Sequence, residues 1–288
     1  SLAEALSYTK GGLWPITGNA FQRAFFAGGE NASGAGINTI QYVDLGTTGN
    51  TIDFGDLVAA RGGSAGAGSG TRAVVAGGST TNVIQYFAMA TTGNAIDFGD
   101  LVAATGSLAG MSSSTRGVFV GGYVGGGVGL TNTIQYITIA STGNATDFGN
   151  ALTSGRWASA GITGSATRGL WANQDTATTR TNTIQYITIA STGNATDFGN
   201  TTVVRNQLGG VGSSTRAVFC GGYTGSLHNV MDYVSIASTG DASDFGDLTV
   251  ASRISTGASS KTRGIINLGF ASSSLNTIEY ITIASGGN

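Results

Sequence analysis

A five-residue block, Asn-Thr-Ile-Gln-Tyr or a close variant of it, recurs six times in this chain of 288 residues. Its copies begin at Asn38, Asn82, Asn132, Asn182, Asn229 and Asn276. A second block, Asp-Phe-Gly, recurs five times, beginning at Asp53, Asp97, Asp147, Asp197 and Asp244. Repetition of whole blocks at a nearly constant spacing indicates an array of similar structural units, each packed against its neighbours.

Composition indicates that these units consist of β-strands. Gly contributes 49 residues, whereas Pro occurs once and charged residues make up 10% of the chain. Such a composition disfavours long helices and favours short strands joined by Gly and Asn turns. A repeat of about 44 to 50 residues has the length of a four-stranded propeller blade. The sequence therefore predicts an all-β fold, a six-bladed β-propeller with four antiparallel strands in each blade.

The unit 205–251 shows the predicted strands most completely. Strand A is expected at about 206–212, strand B at 216–221, strand C at 229–237 and strand D at 245–250. In the third unit, strand C has apolar residues at both odd and even positions. This pattern indicates a strand that is buried on both faces, as in a blade between two neighbours.

The chain is predicted to form a single domain in which the last blade is completed by the first residues. The approximate blade boundaries are 10–60, 61–104, 105–154, 155–204, 205–251 and 252–288 plus 1–9. The sixth unit stops where its strand D belongs, and Lys10 holds the position that Arg61 and Arg205 hold after other D strands. We therefore expect residues 2–9 to pair with residues 277–284, which closes the ring and removes two exposed sheet edges.

Charge and hydropathy argue against two classes of partner. The net charge is −2 and the 13 Lys and Arg residues are spread along the chain, so we expect no nucleic-acid groove. No apolar run approaches the roughly 18–20 residues that span a bilayer, so we expect no membrane insertion. The first residues show no basic segment followed by an apolar one, so we expect synthesis in the cytoplasm without a signal peptide. The single Cys220 is expected to be a small core residue.

Candidate catalytic residues are few. Ser/His/Asp catalysis needs a His beside a nucleophile and a carboxylate, and His228 is the one His of the chain. Zinc sites need clustered Cys and His, which the sequence lacks. Carboxylate pairs recur from unit to unit, at Asp53/Asp56, Asp97/Asp100 and Asp244/Asp247. Because they recur, we interpret them as architectural and predict no catalytic residue, metal or cofactor; a polysaccharide hydrolase or lyase is the less favoured reading.

An Arg begins strand B in every unit of a chain that is otherwise poor in charge. These residues are Arg23, Arg72, Arg116, Arg168, Arg216 and Arg263. We predict that each pairs with a recurring Asp of the same or an adjacent blade, namely Asp53, Asp97, Asp147, Asp197 and Asp244. The alternative is that each charge is solvated at a strand end, where a pair contributes at most about 1 kcal/mol.

The loops between strands B and C differ among the units, whereas the turns between strands C and D are nearly identical. The B–C loops span 30–37, 79–81, 123–131, 173–181, 223–228 and 270–275. Variable loops on a constant frame are where recognition commonly lies. The candidate ligand-binding residues are Tyr123, Trp171, Asn173, Asp175, Tyr223 and His228. The alternative is that these loops differ because no function constrains them.

The order of features in a unit resembles the kelch repeat. In unit 205–251 the Arg, the strand ending in Gly-Gly, the Tyr of the next strand and the last aromatic residue are Arg205, 219–222, Tyr233 and Phe245. Phe stands where kelch units usually have Trp. The segment Asn-Thr-Ile-Gln-Tyr-Ile-Thr-Ile-Ala-Ser-Thr-Gly-Asn-Ala-Thr-Asp-Phe-Gly is similar, more specifically, to kelch-like repeats of tailed-bacteriophage virion proteins, marine phages in particular.

This resemblance implies a structural, adhesion or decoration role on the surface of a virion. We accordingly expect a non-enzymatic protein of a tail fibre, knob or capsid surface that takes part in host attachment or capsid decoration. Its expected partners are neighbouring virion proteins, or a glycan or protein of the host cell surface. The alternative is a stand-alone carbohydrate-binding propeller of the lectin type.

Overall fold

The computed structural model describes residues 23–31, 33–79, 81–126, 128–155, 167–172, 176, 179–253 and 255–286. Within these ranges the chain forms 24 strands and no helix, which confirms the all-β prediction. The same residues accordingly contain no helix with the length and hydropathy needed to cross a membrane.

Six antiparallel sheets follow one another along the chain, and we number them 1 to 6. Sheet 1 consists of β1 (Arg23–Ala27), β2 (Thr39–Asp44) and β3 (Ile52–Asp56). Sheet 2 consists of β4 (Ala65–Gly68), β5 (Arg72–Ala76), β6 (Val83–Ala88) and β7 (Ile96–Asp100). The third unit contains β8 (Thr105–Gly106), β9 (Ala109–Ser112), β10 (Arg116–Val120), β11 (Tyr123–Val124), β12 (Gly129–Leu130), β13 (Thr133–Thr138) and β14 (Thr146–Asn150). Of these, β9, β10, β13 and β14 form sheet 3, whereas β8, β11 and β12 form a small separate sheet.

The remaining strands form the last three sheets. Sheet 4 consists of β15 (Arg168–Ala172), β16 (Thr183–Thr188) and β17 (Thr196–Asn200). Sheet 5 consists of β18 (Gly209–Gly212), β19 (Arg216–Cys220), β20 (Val230–Ser235) and β21 (Ser243–Asp247). Sheet 6 consists of β22 (Thr256–Ser259), β23 (Arg263–Asn267) and β24 (Ile278–Thr282). The predicted outer strand 2–9 of the sixth unit lies outside the described residues.

Sheet 5 has the number and order of strands predicted for the unit 205–251. Its strands B and C, β19 and β20, lie within their predicted bounds. Strand D, β21, begins and ends slightly earlier than predicted. Beyond its end, the Thr249 N–H donates to the Glu279 carboxylate of sheet 6 at 3.2 Å. The chain thus turns towards the next sheet as soon as its own ladder ends.

Successive sheets share buried apolar cores, and every sheet is buried on both faces. Met111 of sheet 3, for example, packs with Trp171 of sheet 4. Equivalent cores lie between sheets 1 and 2, 2 and 3, 4 and 5, and 5 and 6. A further core joins Val43 of sheet 1 to Ile265 of sheet 6. The series of shared cores therefore returns to the sheet from which it began.

Cys220 lies in the core between sheets 5 and 6 and is fully buried. Burial raises the pKa of its thiol to about 12, because the charged thiolate is poorly solvated there. The prediction of a small core residue is confirmed.

The inner strands of neighbouring units approach each other through glycine. A Cβ on Gly110 of β9 would collide with the main-chain oxygen of Gly66 in β4. The same relation holds between β22 and β18, where a Cβ on Gly257 would collide with the oxygen of Gly210. Two sheets can come this close only where the side chain is absent. This close approach accounts for part of the unusual glycine content.

The repeated Asp-Phe-Gly and Thr-Gly-Asn blocks bind neighbouring sheets to each other. Between sheets 2 and 3, the Gly143 N–H donates to the Phe98 carbonyl at 2.8 Å. Asn144 Oδ1 accepts from the Asp100 N–H at 3.0 Å. Sheets 1 and 2, 3 and 4, and 4 and 5 repeat both contacts. The turns of units 2 to 5 therefore cap strand D of the unit before them.

The buried Gln of the Asn-Thr-Ile-Gln-Tyr block also joins neighbouring units, through a main-chain N–H just beyond the C-terminal end of strand D. Gln135 Oε1 accepts from the main-chain N–H of Val102, in the preceding unit, at 2.8 Å. Gln85 and Gln185 make the equivalent contact at 2.7 and 2.8 Å. These contacts satisfy main-chain donors just beyond the ladder, so the repeated polar residues belong to the frame.

Candidate binding face

The B–C loops lie beside the links that lead into strand A, and together they form what we call the loop face. The N–H groups of Tyr223 and Phe270 donate to the carbonyls of Asn206 and Arg253, each at 2.9 Å. Tyr123 pairs in the same way with Gly106, through β11 and β8. One backbone arrangement therefore recurs at the base of several loops. The residue at this position varies, being Glu30, Ser79, Tyr123, Tyr223 and Phe270 in five of the six units.

Three of the predicted ligand-binding residues lie on the loop face. Tyr123 is 38% exposed, and Tyr223 and His228 are half-buried. Asn173 and Asp175 lie outside the described residues.

The prediction for Trp171 is wrong. It lies in β15 opposite Gln185 of β16, and its exposed fraction is 0%. Strand B runs on through Ala172, so Trp171 takes the buried position that Phe119 and Phe219 take in sheets 3 and 5. The strand register, rather than the size or polarity of the side chain, decides its burial.

Four side chains from three consecutive units form an alternating arrangement that we call the arginine–aromatic stack: Arg180, Tyr223, Arg253 and Phe270. The guanidinium carbons of Arg180 and Arg253 lie 5.5 and 4.8 Å from the centroid of the Tyr223 ring. The Arg253 carbon also lies 5.1 Å from the Phe270 centroid. Arg180 is exposed, whereas the other three residues are half-buried. The stack is therefore a cationic and aromatic patch open to solvent at one end.

Sequence reasoning missed three members of this stack. Arg180 and Arg253 fall outside the recurring Arg position before strand B, and Phe270 occupies the same loop position as Tyr123 and Tyr223. Seven of the 13 Lys and Arg residues lie outside the recurring position, so the sequence by itself did not single out these two. Which ring they meet depends on how units four, five and six pack together.

His228 is a hydrogen-bonded loop residue. Its Nε2 lies 2.8 Å from Thr224 Oγ1, and its main chain bonds to Gly222 and Ser252, each at 3.0 Å. Burial lowers the pKa of the imidazole, and the positive charge of Arg205 lowers it further. The ring is therefore neutral at neutral pH and can exchange hydrogen bonds with a ligand. The described residues hold no group of three or more His, Cys, Asp or Glu that could bind a metal.

A buried ion pair lies at the base of the fifth B–C loop. Arg205 Nη2 and Asp232 Oδ2 are 2.7 Å apart, and both side chains are fully buried. Arg205 Nε also donates to the Gly221 carbonyl at 2.7 Å, and the Thr202 hydroxyl donates to Asp232. Because Gly221 lies just before Tyr223, the pair holds the base of the fifth B–C loop against the link into its own unit.

The recurring Arg residues make a contact other than the predicted ion pair. Arg116 lies over the Tyr136 ring at 4.3 Å, and its Nη1 donates to the Ile189 carbonyl of the next sheet at 2.8 Å. The other five residues repeat both contacts, each with the Tyr of its own sheet and a carbonyl of the next. The recurring Asp residues, Asp53, Asp97, Asp147, Asp197 and Asp244, are all exposed.

The positions of these residues in the sheets explain why the Arg side chains do not pair with the Asp carboxylates. Each of these Arg residues begins strand B, where the Tyr of strand C and the neighbouring C–D turn are within reach. Each Asp lies in the outermost strand, D, and its carboxylate is solvated. The Arg residues are therefore half-buried connectors between sheets, and the Asp residues match the solvated alternative.

Comparison with known proteins adds no assignment to this geometry. The search against protein families finds no model that matches the chain, and the search of curated proteins finds no match either.

Proposed function

We propose that the six sheets are the blades of a closed six-bladed β-propeller, and that this propeller is a non-enzymatic structural and adhesion protein of a virion surface. The cyclic series of shared cores supports the fold. The virion role is inferred from the sequence resemblance of the repeats to kelch-like phage repeats alone, since no family model or curated protein matches the chain. In this proposal the loop face contacts neighbouring virion proteins or the host cell surface.

The observation that carries the proposal is the contrast between frame and loops. The contacts between sheets, such as Gly143 with Phe98 and Gln135 with Val102, recur with little change at several junctions between neighbouring sheets. The equivalent loop positions carry residues as different as Glu30 and Tyr123. A rigid frame that presents varied loops is suited to recognition, because the frame fixes the positions of side chains that can change freely.

The test uses the full chain with single substitutions on opposite faces. Tyr123→Ala and Tyr223→Ala change the loop face, and Lys261→Ala changes an exposed residue in the turn before β23. We expect the unmodified chain and the Lys261 variant to be retained by purified particles or host cells, and the loop variants to be retained at least tenfold less.

Two results would contradict the proposal. Equal retention of all three variants would remove the loop face from the interaction. Release of new reducing ends from a surface polysaccharide would establish an enzyme instead.

A stand-alone lectin is the second candidate. Aromatic residues at three equivalent loop positions, Tyr123, Tyr223 and Phe270, favour it because aromatic rings stack on sugar faces. Binding to a glycan array by a chain that never sediments with particles would establish the lectin and exclude the virion role.

A further inference from the structure

Two cations of the loop face stand beside one tyrosine ring. Both Arg180 and Arg253 lie within 5.5 Å of the Tyr223 centroid, measured from the guanidinium carbon. Among the described residues, Arg205 and Asp232 form the only ion pair. Neither arginine of the stack therefore has a carboxylate partner in that part of the chain. Two positive charges against one ring, with no carboxylate beside them among the described residues, create a positive potential that attracts an anion. The stack therefore has the electrostatics of an anion site.

The side chain of Arg253 also indicates an anion site. Its Nε is buried and has no acceptor among the described residues. The connector arginines differ, since Arg72 and Arg216, for example, donate to main-chain carbonyls of the next sheet. A buried donor without an acceptor is unfavourable, and an anion at the stack would supply the missing acceptor. A guanidinium group presents a planar fork of donors that fits a carboxylate in a bidentate manner.

The surroundings of the stack favour a sugar over a peptide as the carrier of that anion. The main chain at Tyr223 is bridged on one side by Asn206 and on the other by Leu227. Phe270 is likewise bridged on both sides. No strand edge is therefore open at these two positions for an extended peptide. The half-buried rings and the neighbouring Thr224–His228 pair instead offer apolar faces and hydroxyl-bonding groups, which sugars require.

We propose that the arginine–aromatic stack binds the carboxylate of an acidic oligosaccharide, such as one that contains uronic acid. This inference rests on the binding role proposed above for the loop face and names the chemistry of its ligand. Arg180 and Arg253 supply the positive charge that attracts the carboxylate, and both guanidinium groups lie against the Tyr223 ring. Phe270 and the Thr224–His228 pair contact the sugar ring.

The test is calorimetric titration of the full chain with an oligogalacturonate and with the same oligomer after reduction of its carboxyl groups. We expect the reduced oligomer to bind at least tenfold more weakly, because it differs only in the charged group. Arg180→Gln and Arg253→Gln are expected to weaken binding of the acidic oligomer at least tenfold each. Lys261→Gln removes an exposed positive charge outside the stack and is expected to leave binding unchanged.

Three results would each contradict the proposed carboxylate site. Equal binding of the acidic and reduced oligomers, unchanged affinity in both stack variants, or tighter binding of a poly-glutamate peptide would overturn it. Arg180 is exposed, so its variant tests the site even where Arg253→Gln lowers the melting temperature.

The two proposals fail separately. A chain that binds particles or cells through its loop face but ignores the acidic oligomer refutes only the ligand. A chain that binds the acidic oligomer but neither particles nor cells refutes only the virion role.

Discussion

Arg263 Nη1 donates a hydrogen bond to the main-chain carbonyl of Leu45 at 3.1 Å, although 218 residues separate the two. The same guanidinium lies over the Tyr280 ring at 4.6 Å. Arg116 makes the equivalent contacts between sheets 3 and 4, which are neighbours in sequence. Sheets 6 and 1 are therefore joined by the same device as sheets that follow each other along the chain.

Loss of the Arg263 contact is expected to loosen the first sheet. Arg263→Leu removes a cation–π contact and a charged hydrogen bond, which together contribute about 1–3 kcal/mol to the free energy of unfolding. In Arg263→Leu, hydrogen exchange should accelerate in β1 and β2. Arg116→Leu should lose a similar amount of stability, but exchange should accelerate in β16 instead. Lys261→Leu, at an exposed site, serves as the control. Unchanged exchange in β1 and β2 would show that the long-range contact contributes nothing.

Residues 1–9 are expected to stabilise sheet 6. In the prediction from the sequence, residues 2–9 pair with 277–284, and Tyr280 in that segment is 55% exposed in the described part of the molecule. Deletion of residues 1–9 should lower the melting temperature by about 5–10 °C, since an unpaired outer strand loses its ladder and its apolar contacts. A variant with Gly and Ser in place of residues 2–9 keeps the chain length and should have the same melting temperature as the deletion variant. An unchanged melting temperature in both would contradict the pairing.

Gly99 is expected to tolerate no side chain. Its φ is +145°, and a Cβ there would collide with the Gly143 carbonyl oxygen of the next sheet. Gly99→Ala should reduce the free energy of unfolding by about 2–4 kcal/mol, through backbone strain and separation of two sheets. Gly70 has open space around it, so Gly70→Ala should leave stability within about 1 kcal/mol of the parent. Denaturant unfolding measures both, and equal effects at the two sites would refute the role of close approach.

Asp232 is expected to be replaceable by Gln but not by Ala. Asp232→Ala leaves the fully buried Arg205 without its charge partner, which costs about 3–5 kcal/mol. Sheet 2 already contains the combination Arg61 and Gln85, at the positions of Arg205 and Asp232, with Arg61 donating to the Gly77 carbonyl at 3.1 Å. Asp232→Gln copies that combination and should recover most of the lost stability in denaturant unfolding. Equal losses in the two variants would show that sheet 5 depends on the charge itself.

His228 is expected to make stability depend on pH. Its pKa in the folded protein is below the ordinary 6.5, so the unfolded chain takes up a proton more readily. The stabilisation is complete above 6.5 and is lost as the pH falls from there through the folded pKa. Between about pH 7.5 and pH 5 the melting temperature should fall further in the parent than in His228→Gln. Parallel curves for the two proteins would assign the pH dependence to other groups.

Much of the frame could be predicted because it is repeated. The all-β fold, the order of strands in sheet 5 and the core position of Cys220 followed from spacing and apolar pattern, and the structure confirms them. Local periodicity is enough for these features, because a strand buries the same face wherever its pattern recurs. The partner of each recurring Arg was mispredicted for a related reason. Repetition shows that a residue is equivalent in every unit, but not which group of the next unit it meets.

The loop face was only partly predictable. Tyr223 was recognised as a candidate because it is an aromatic residue in a variable loop, but the stack that surrounds it was not. Arg180, Tyr223 and Arg253 come from three different units, so no local pattern relates them. Trp171 was misplaced because its burial depends on where strand B ends.

The amino-acid sequence alone determined that this chain is built from six similar β-units with constant turns and variable loops. Those properties depend on short-range patterns of apolar, Gly and Asn residues, which act within a single unit. Only the tertiary structure decided that Arg116 contacts Tyr136 and the next sheet, and that Arg180 and Arg253 share one ring. Contacts between units depend on the angle and distance at which whole sheets pack, and many side chains set these jointly.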